Sequence, residues 1–157
     1  MDSDDAVYLA TTCEQIHRYD DMISYIKSLP SQKQTPLTPT ERNLFASAYK
    51  NAIGRTRQAW RALTSFELAN EKKKGSRNHL IKNYKSKIEN ELSRYCHDIL
   101  QILNAKLVLT TKLTNEDHIF YLKLKGDYNR YMAEYKIGEA HTKSSQNAEL
   151  AYNEANG

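Results

Sequence analysis

Apolar residues recur along almost the whole chain at three- and four-residue steps, the period of helices that bury one face. Ala6, Leu9, Ala10, Cys13 and Ile16 predict a short first helix. Tyr19, Met22, Ile23, Ile26 and Leu29 predict a second, closed by Pro30. The polar stretch to Thr35, followed by Pro36 and Pro39, is the clearest break in the pattern. A capping box then opens the third helix, with Thr38 as N-cap, Pro39 at the first helical position and Glu41 reaching back from the third. Phe45, Ala48, Tyr49, Ala52, Ala59, Leu63 and Phe66 hold one face of it until the polar run from Asn70 to Ser76, which contains Gly75. A fourth helix carries Leu80, Ile81, Tyr84, Ile88, Leu92, Tyr95, Cys96, Ile99, Leu103 and Leu107. The fifth starts at a relative of the capping box, Thr114-Asn115-Glu116-Asp117, continues through Phe120, Leu124, Tyr128, Tyr131 and Tyr135, and ends at Gly138. Ala148, Ala151, Tyr152 and Ala155 predict a sixth that runs to the last residue.

The chain is therefore expected to be all-α. Thirty residues of helix span about 45 Å, longer than the diameter of a compact globule of this size. Long antiparallel helices in a layered array fit better, and the lack of a fixed repeat period argues against tetratricopeptide-type solenoids. With 157 residues, 39% of them hydrophobic, one domain over 1–157 with a sizeable core is expected. Five Gly and three Pro are too few for the turns of a sandwich or barrel.

Candidate chemistry is sparse. The two cysteines exclude a disulfide scaffold and a four-Cys zinc site, and both sit on apolar faces as small core residues. One E-x-x-H pair, Glu14 and His17, occurs where a di-iron bundle needs two such motifs and two further glutamates. No Gly-rich phosphate loop or nucleophile elbow is present, so no enzyme activity, metal or cofactor is expected. No apolar run is long enough to cross a membrane, and Asp2, Asp4, Asp5 and Glu14 are the wrong charge for a signal peptide. A cytoplasmic protein without membrane insertion is the expectation. The net charge is +4, concentrated in Lys72, Lys73, Lys74, Arg77, Lys82, Lys85 and Lys87. That run reads as a solvated loop and helix face, with a partner-binding patch as the alternative. Nucleic acid is not an expected partner, because the aromatic residues sit at core spacing and are not interleaved with the charge.

Two further patterns change the picture. Lys50 and Arg57 are seven residues apart on the third helix, with Asn43 one step back, and Lys123 and Arg130 repeat that spacing on the fifth, with Glu134 one turn beyond. By pattern alone each stripe is a solvated helix face. If they face each other, two guanidiniums and an ammonium meet beside Tyr131, a donor set that suits a phosphate dianion.

Several segments resemble the 14-3-3 family: Arg18-Tyr19-Asp20-Asp21-Met22, Arg42-Asn43-Leu44, Ala48-Tyr49-Lys50-Asn51, Gly54-x-x-Arg57-x-x-Trp60-Arg61, Lys87-Ile88-Glu89-x-Glu91-Leu92, and the run from Phe120 to Glu134. The likeness keeps its order from the first helix to the end of the chain. It implies a dimeric, non-enzymatic adaptor that binds phosphoserine or phosphothreonine segments of client proteins in an amphipathic groove. By position, Lys50, Arg57, Arg130 and Tyr131 match the phosphate-holding residues, and Asn43 and Lys123 match further groove positions. Arg18, Asp21, Lys87 and Glu91 match charges that pair across the family's dimer interface, and Tyr84 matches an aromatic packed there. Residues 1–35 and the helices around 39–69 and 76–109 would form the dimerising part, and 114–157 the groove. Whether the second subunit is identical or a related chain stays open. Ser47 stands where the groove's apolar wall is expected, and Thr12 and Ile16 replace the usual residues of the dimer seam. A family member has nine helices, so the resemblance implies an array truncated in the sixth, whose Ala148, Tyr152 and Ala155 would lack cover and fray. A dimerising fragment without a competent groove is the alternative reading.

Overall fold

Helix starts are fixed where side chains satisfy the first free backbone N–H groups. In the computed structural model, which describes residues 1–33, 35–72, 77–109 and 113–157, the Thr38 capping box closes in both directions. The Glu41 N–H donates to Thr38 Oγ1 at 3.2 Å, and the Thr38 N–H donates to Glu41 Oε1 at 2.8 Å. Thr114 caps its helix in the same sense, accepting from the Asp117 N–H at 3.1 Å. The described helices are α1 (Ser3–Gln15), α2 (Tyr19–Ile26), α3 (Leu29–Gln32), α4 (Pro39–Lys72), α5 (Asn78–Leu109), α6 (Asn115–Tyr135) and α7 (Gly138–Asn156). No strand occurs among the described residues, and none of their helices is long and apolar enough to cross a membrane. Lys73, Lys74 and Gly75 of the predicted polar run lie outside the described residues.

The helices pack largely in chain order. α1 lies on α2 and α4, α4 on α5, α5 on α6 and α6 on α7. One core runs through them, with Met22, Ile26, Phe45, Tyr49, Ile99, Leu103 and Tyr128 at its centre. The Tyr49 and Tyr128 rings meet edge to face at 6.4 Å, joining α4 to α6. Between α1 and α2 the chain reverses through His17, whose φ of 59° is left-handed. The Arg18 N–H donates to Cys13 O and the His17 N–H to Glu14 O, the paired bonds of a Schellman turn.

Three expectations are corrected. The second helix does not run to Pro30: it stops at Ile26, and Pro30 instead sits buried in the first turn of α3, where its missing N–H costs nothing. The apolar faces are not wholly internal. Ile16, Phe66, Leu80 and Tyr84 are all more than half exposed, whereas Phe45, Ala48, Tyr49, Ala52 and Leu63 of the α4 face are buried. The last helix begins at Gly138, where a φ of +65° lets the chain leave α6 and turn straight into α7. Ala148, Ala151 and Ala155 are covered by α6, and Tyr152 lies over Gly126, whose lack of a side chain makes room for the ring. The Tyr152 hydroxyl also donates to Asp127 Oδ1 at 2.6 Å. Cover for these residues, expected only from a later helix, comes instead from α6, against which the small side chains pack closely.

Candidate functional site

Residues seven apart on a helix fall almost on one line, so α4 presents Asn43, Lys50 and Arg57 as a stripe and α6 presents Lys123 and Arg130. The two stripes converge at Tyr131. The Arg57 guanidinium lies 4.1 Å from the centroid of that ring, and the Arg130 guanidinium 5.4 Å from the same centroid. Lys50, Asn43 and Lys123 are exposed and have no hydrogen bond or ion pair among the described residues.

Carboxylates hold the arginines in place. Arg57 Nε and Nη2 both donate to Glu134 Oε2, at 3.0 and 2.8 Å, while Arg61 Nε donates to Glu134 Oε1 at 2.6 Å. Arg130 is 3.7 Å from Asp127 Oδ1, the oxygen that also accepts from Tyr152. Arg61 and Glu134 were within reach of sequence reasoning, since each stands four residues after a stripe arginine and shares its face. The roles of Asp127 and Tyr152 depend on how α7 docks, which no local pattern shows.

Burial works to raise the Glu134 pKa, but the hydrogen bonds from Arg61 and Arg57 outweigh it and hold the carboxyl below its usual 4.5. A carboxylate depressed on folding stabilises the fold above its unfolded pKa and loses that contribution as pH falls through the folded value. Glu134→Gln is therefore expected to melt below the parent chain at neutral pH, with the gap shrinking below about pH 4. Thermal melts across the acid range check this, and a gap that stays constant with pH contradicts it.

The arrangement offers fixed cations and a phenol on an open face. No group of residues suited to a metal occurs among the described residues. Cys96, buried in the core, has its thiol pushed up to about 12 by burial, which removes it as a nucleophile at neutral pH.

The expected dimer residues lie elsewhere, around α1, α2 and α5. Arg18 Nε pairs with Asp21 Oδ2 of its own chain at 2.8 Å, and neither Lys87 nor Glu91 is in an ion pair among the described residues. Tyr84 is 53% exposed.

The sequence model of the family described as 14-3-3 protein matches residues 9–157. The chain belongs to the 14-3-3 family. It is 45% identical to a 14-3-3 protein homolog of Trichoderma harzianum, over 99% of this chain and 59% of the relative. It is 41% identical to 14-3-3 protein 10 of Solanum lycopersicum, over 99% of this chain and 62% of the relative. Against 14-3-3 protein 3 of Entamoeba histolytica the identity is 42%, over 97% and 63%. The chain thus spans about six-tenths of the length of the 14-3-3 relatives it matches.

Proposed function

We propose that this chain is a non-enzymatic 14-3-3 adaptor module that binds phosphoserine or phosphothreonine segments of client proteins. Lys50, Arg57, Arg130 and Tyr131 hold the phosphate, and Asn43 and Lys123 contact the peptide beside it. The observation that carries this reading is the convergence of Arg57 and Arg130, from different helices, on the one Tyr131 ring. Cations gathered from two helices, with Lys50 unpaired nearby on the same stripe, form the donor set that a phosphate dianion takes. Lys50, Arg57, Arg130 and Tyr131 reach only the phosphate, which every phosphopeptide offers, and Asn43 and Lys123 are the only proposed contacts to the peptide beside it. The 157-residue chain is accordingly expected to bind phosphopeptides at about 10 µM or weaker, with little preference among their sequences. Titrating several unrelated phosphopeptides and their unphosphorylated forms tests both points. Equal affinity for the two forms overturns the function and favours a dimerising chain without a competent groove; tight, selective binding overturns the weakness.

The proposed module pairs with a second copy or a related chain. Exposed apolar side chains on α1, at its C-cap and on α5, among them Tyr8, Ile16, Leu80 and Tyr84, support such pairing. Exchange of the Arg18–Asp21 pair for Arg18–Glu91 and Asp21–Lys87 across a twofold axis would then appear in duplicate. Exposed ion pairs add little each, so the apolar residues supply most of the affinity. Asp21→Lys combined with Glu91→Lys is expected to give a monomer by sedimentation. A monomeric parent chain refutes the pairing.

A further inference from the structure

A groove lies on the face of α6 turned away from Tyr131. It has a volume of about 770 Å³ and runs between α5 and α7, with Asn129 and Met132 in its floor. That volume falls in the usual range for ligand sites, about 300–1,000 Å³. Three lysines line it, Lys125, Lys136 and Lys143, against one carboxylate, Glu154.

Two of these lysines are exceptions in the structure. Every other buried or partly buried cation among the described residues holds a partner, whereas these two ammonium groups stay open to solvent in the groove. Partly buried Lys33, Arg57 and Lys85 each hold a carboxylate, as does buried Arg42, and buried Lys106 donates to the Pro30 and Lys33 carbonyls. Lys125 and Lys136 are partly buried too, yet neither ammonium group has a carboxylate or hydrogen-bond partner among the described residues. Both stand in this groove, beside apolar Leu100 and Ala151.

Their spacing selects the ligand. Eleven residues of helix separate them along the axis by about 16 Å, too far for one small anion to bridge. An extended chain covers that distance in about five residues. We propose that this groove docks an acidic, unphosphorylated segment of a partner protein, with carboxylates about five residues apart on Lys125 and Lys136 and an apolar side chain between them. This site is independent of the proposed phosphate site, because the two lie on opposite faces of α6.

The probe is a fluorescein-labelled peptide with two glutamates about five residues apart around a leucine, titrated into the 157-residue chain and followed by anisotropy. Binding is expected to weaken with salt and to fall at least about tenfold in the Lys125→Gln, Lys136→Gln double variant. It is expected to be lost when the peptide's glutamates become glutamines, and to be unchanged by Lys50→Glu. Circular dichroism establishes that the variants fold. No binding, binding that survives the double variant, or displacement by a phosphopeptide or by inorganic phosphate overturns the proposal.

Discussion

Lys50→Glu is expected to weaken a phosphoserine peptide by more than about a hundredfold while leaving the helix content of the chain unchanged. Lys50 is exposed and unpaired, so the fold does not use its charge. Its ammonium, as the proposed phosphate ligand, contributes a charge-assisted hydrogen bond of about 1.5–3 kcal/mol. The glutamate removes that bond and places a like charge against the phosphate, and the two losses together exceed the roughly 2.7 kcal/mol that a hundredfold represents. Lys50→Met, which only removes the bond, is expected to fall between the two. Isothermal titration of one phosphopeptide against all three proteins measures the series. Equal affinity of the glutamate variant and the parent removes Lys50 from the site.

Breaking the buried pair at the start of α6 is expected to be the most damaging single change to stability. Arg42 Nη1 donates to Asp117 Oδ1 at 2.8 Å, Nη2 donates to Glu116 at 3.1 Å, and the guanidinium lies over the Phe120 ring. Asp117 is only 2% exposed, and its second oxygen has no hydrogen-bond partner. Arg42→Met therefore strands a carboxylate out of water, at a cost of about 3–5 kcal/mol in urea unfolding. Replacing Asp117 by leucine in the same chain removes the stranded charge and is expected to recover much of the loss. A single-variant loss below about 1 kcal/mol would show that water reaches Asp117. The effect reaches the proposed site, because Arg42–Asp117 and Arg57–Glu134 tie α6 to α4 towards its two ends and so set the distance between the two cationic stripes.

Most of this architecture is legible in the sequence because its helices announce their own ends. The capping residues Thr38, Glu41 and Thr114 act within a single turn, so spacing alone locates them. α3 is too short for a periodicity to register. The first half of α7 is hidden for a different reason: its one buried position is Ser144, so no hydrophobic stripe begins before Ala148. Of the site, the seven-residue spacing of Lys50 with Arg57 and of Lys123 with Arg130 is visible, but that the stripes meet is not. Contacts such as Arg42 with Asp117 join residues far apart in the chain, and only the register between helices decides them. The unpaired Lys125 and Lys136 are illegible for the same reason, since an absent partner shows only once the surrounding helices are in place.

The carboxylates that brace the arginines also set a stoichiometry of charge. Arg57, Arg61 and Arg130 bring three positive charges to the junction of α4 and α6, and Glu134 and Asp127 bring two negative ones. Lys50 and Lys123, unpaired on the two stripes, add two more positive charges. The surplus of three exceeds the charge that a fully ionised phosphoserine carries, close to −2 near neutral pH. A phosphate at the proposed site would cancel most of it. A glutamate substituted for the phosphoserine in a client would bring one charge and one planar carboxylate, and so would leave two cations uncancelled beside a half-filled set of donors. Acidic mimicry, which serves where a modification acts only through bulk charge, is therefore a poor imitation of the modified residue at this junction.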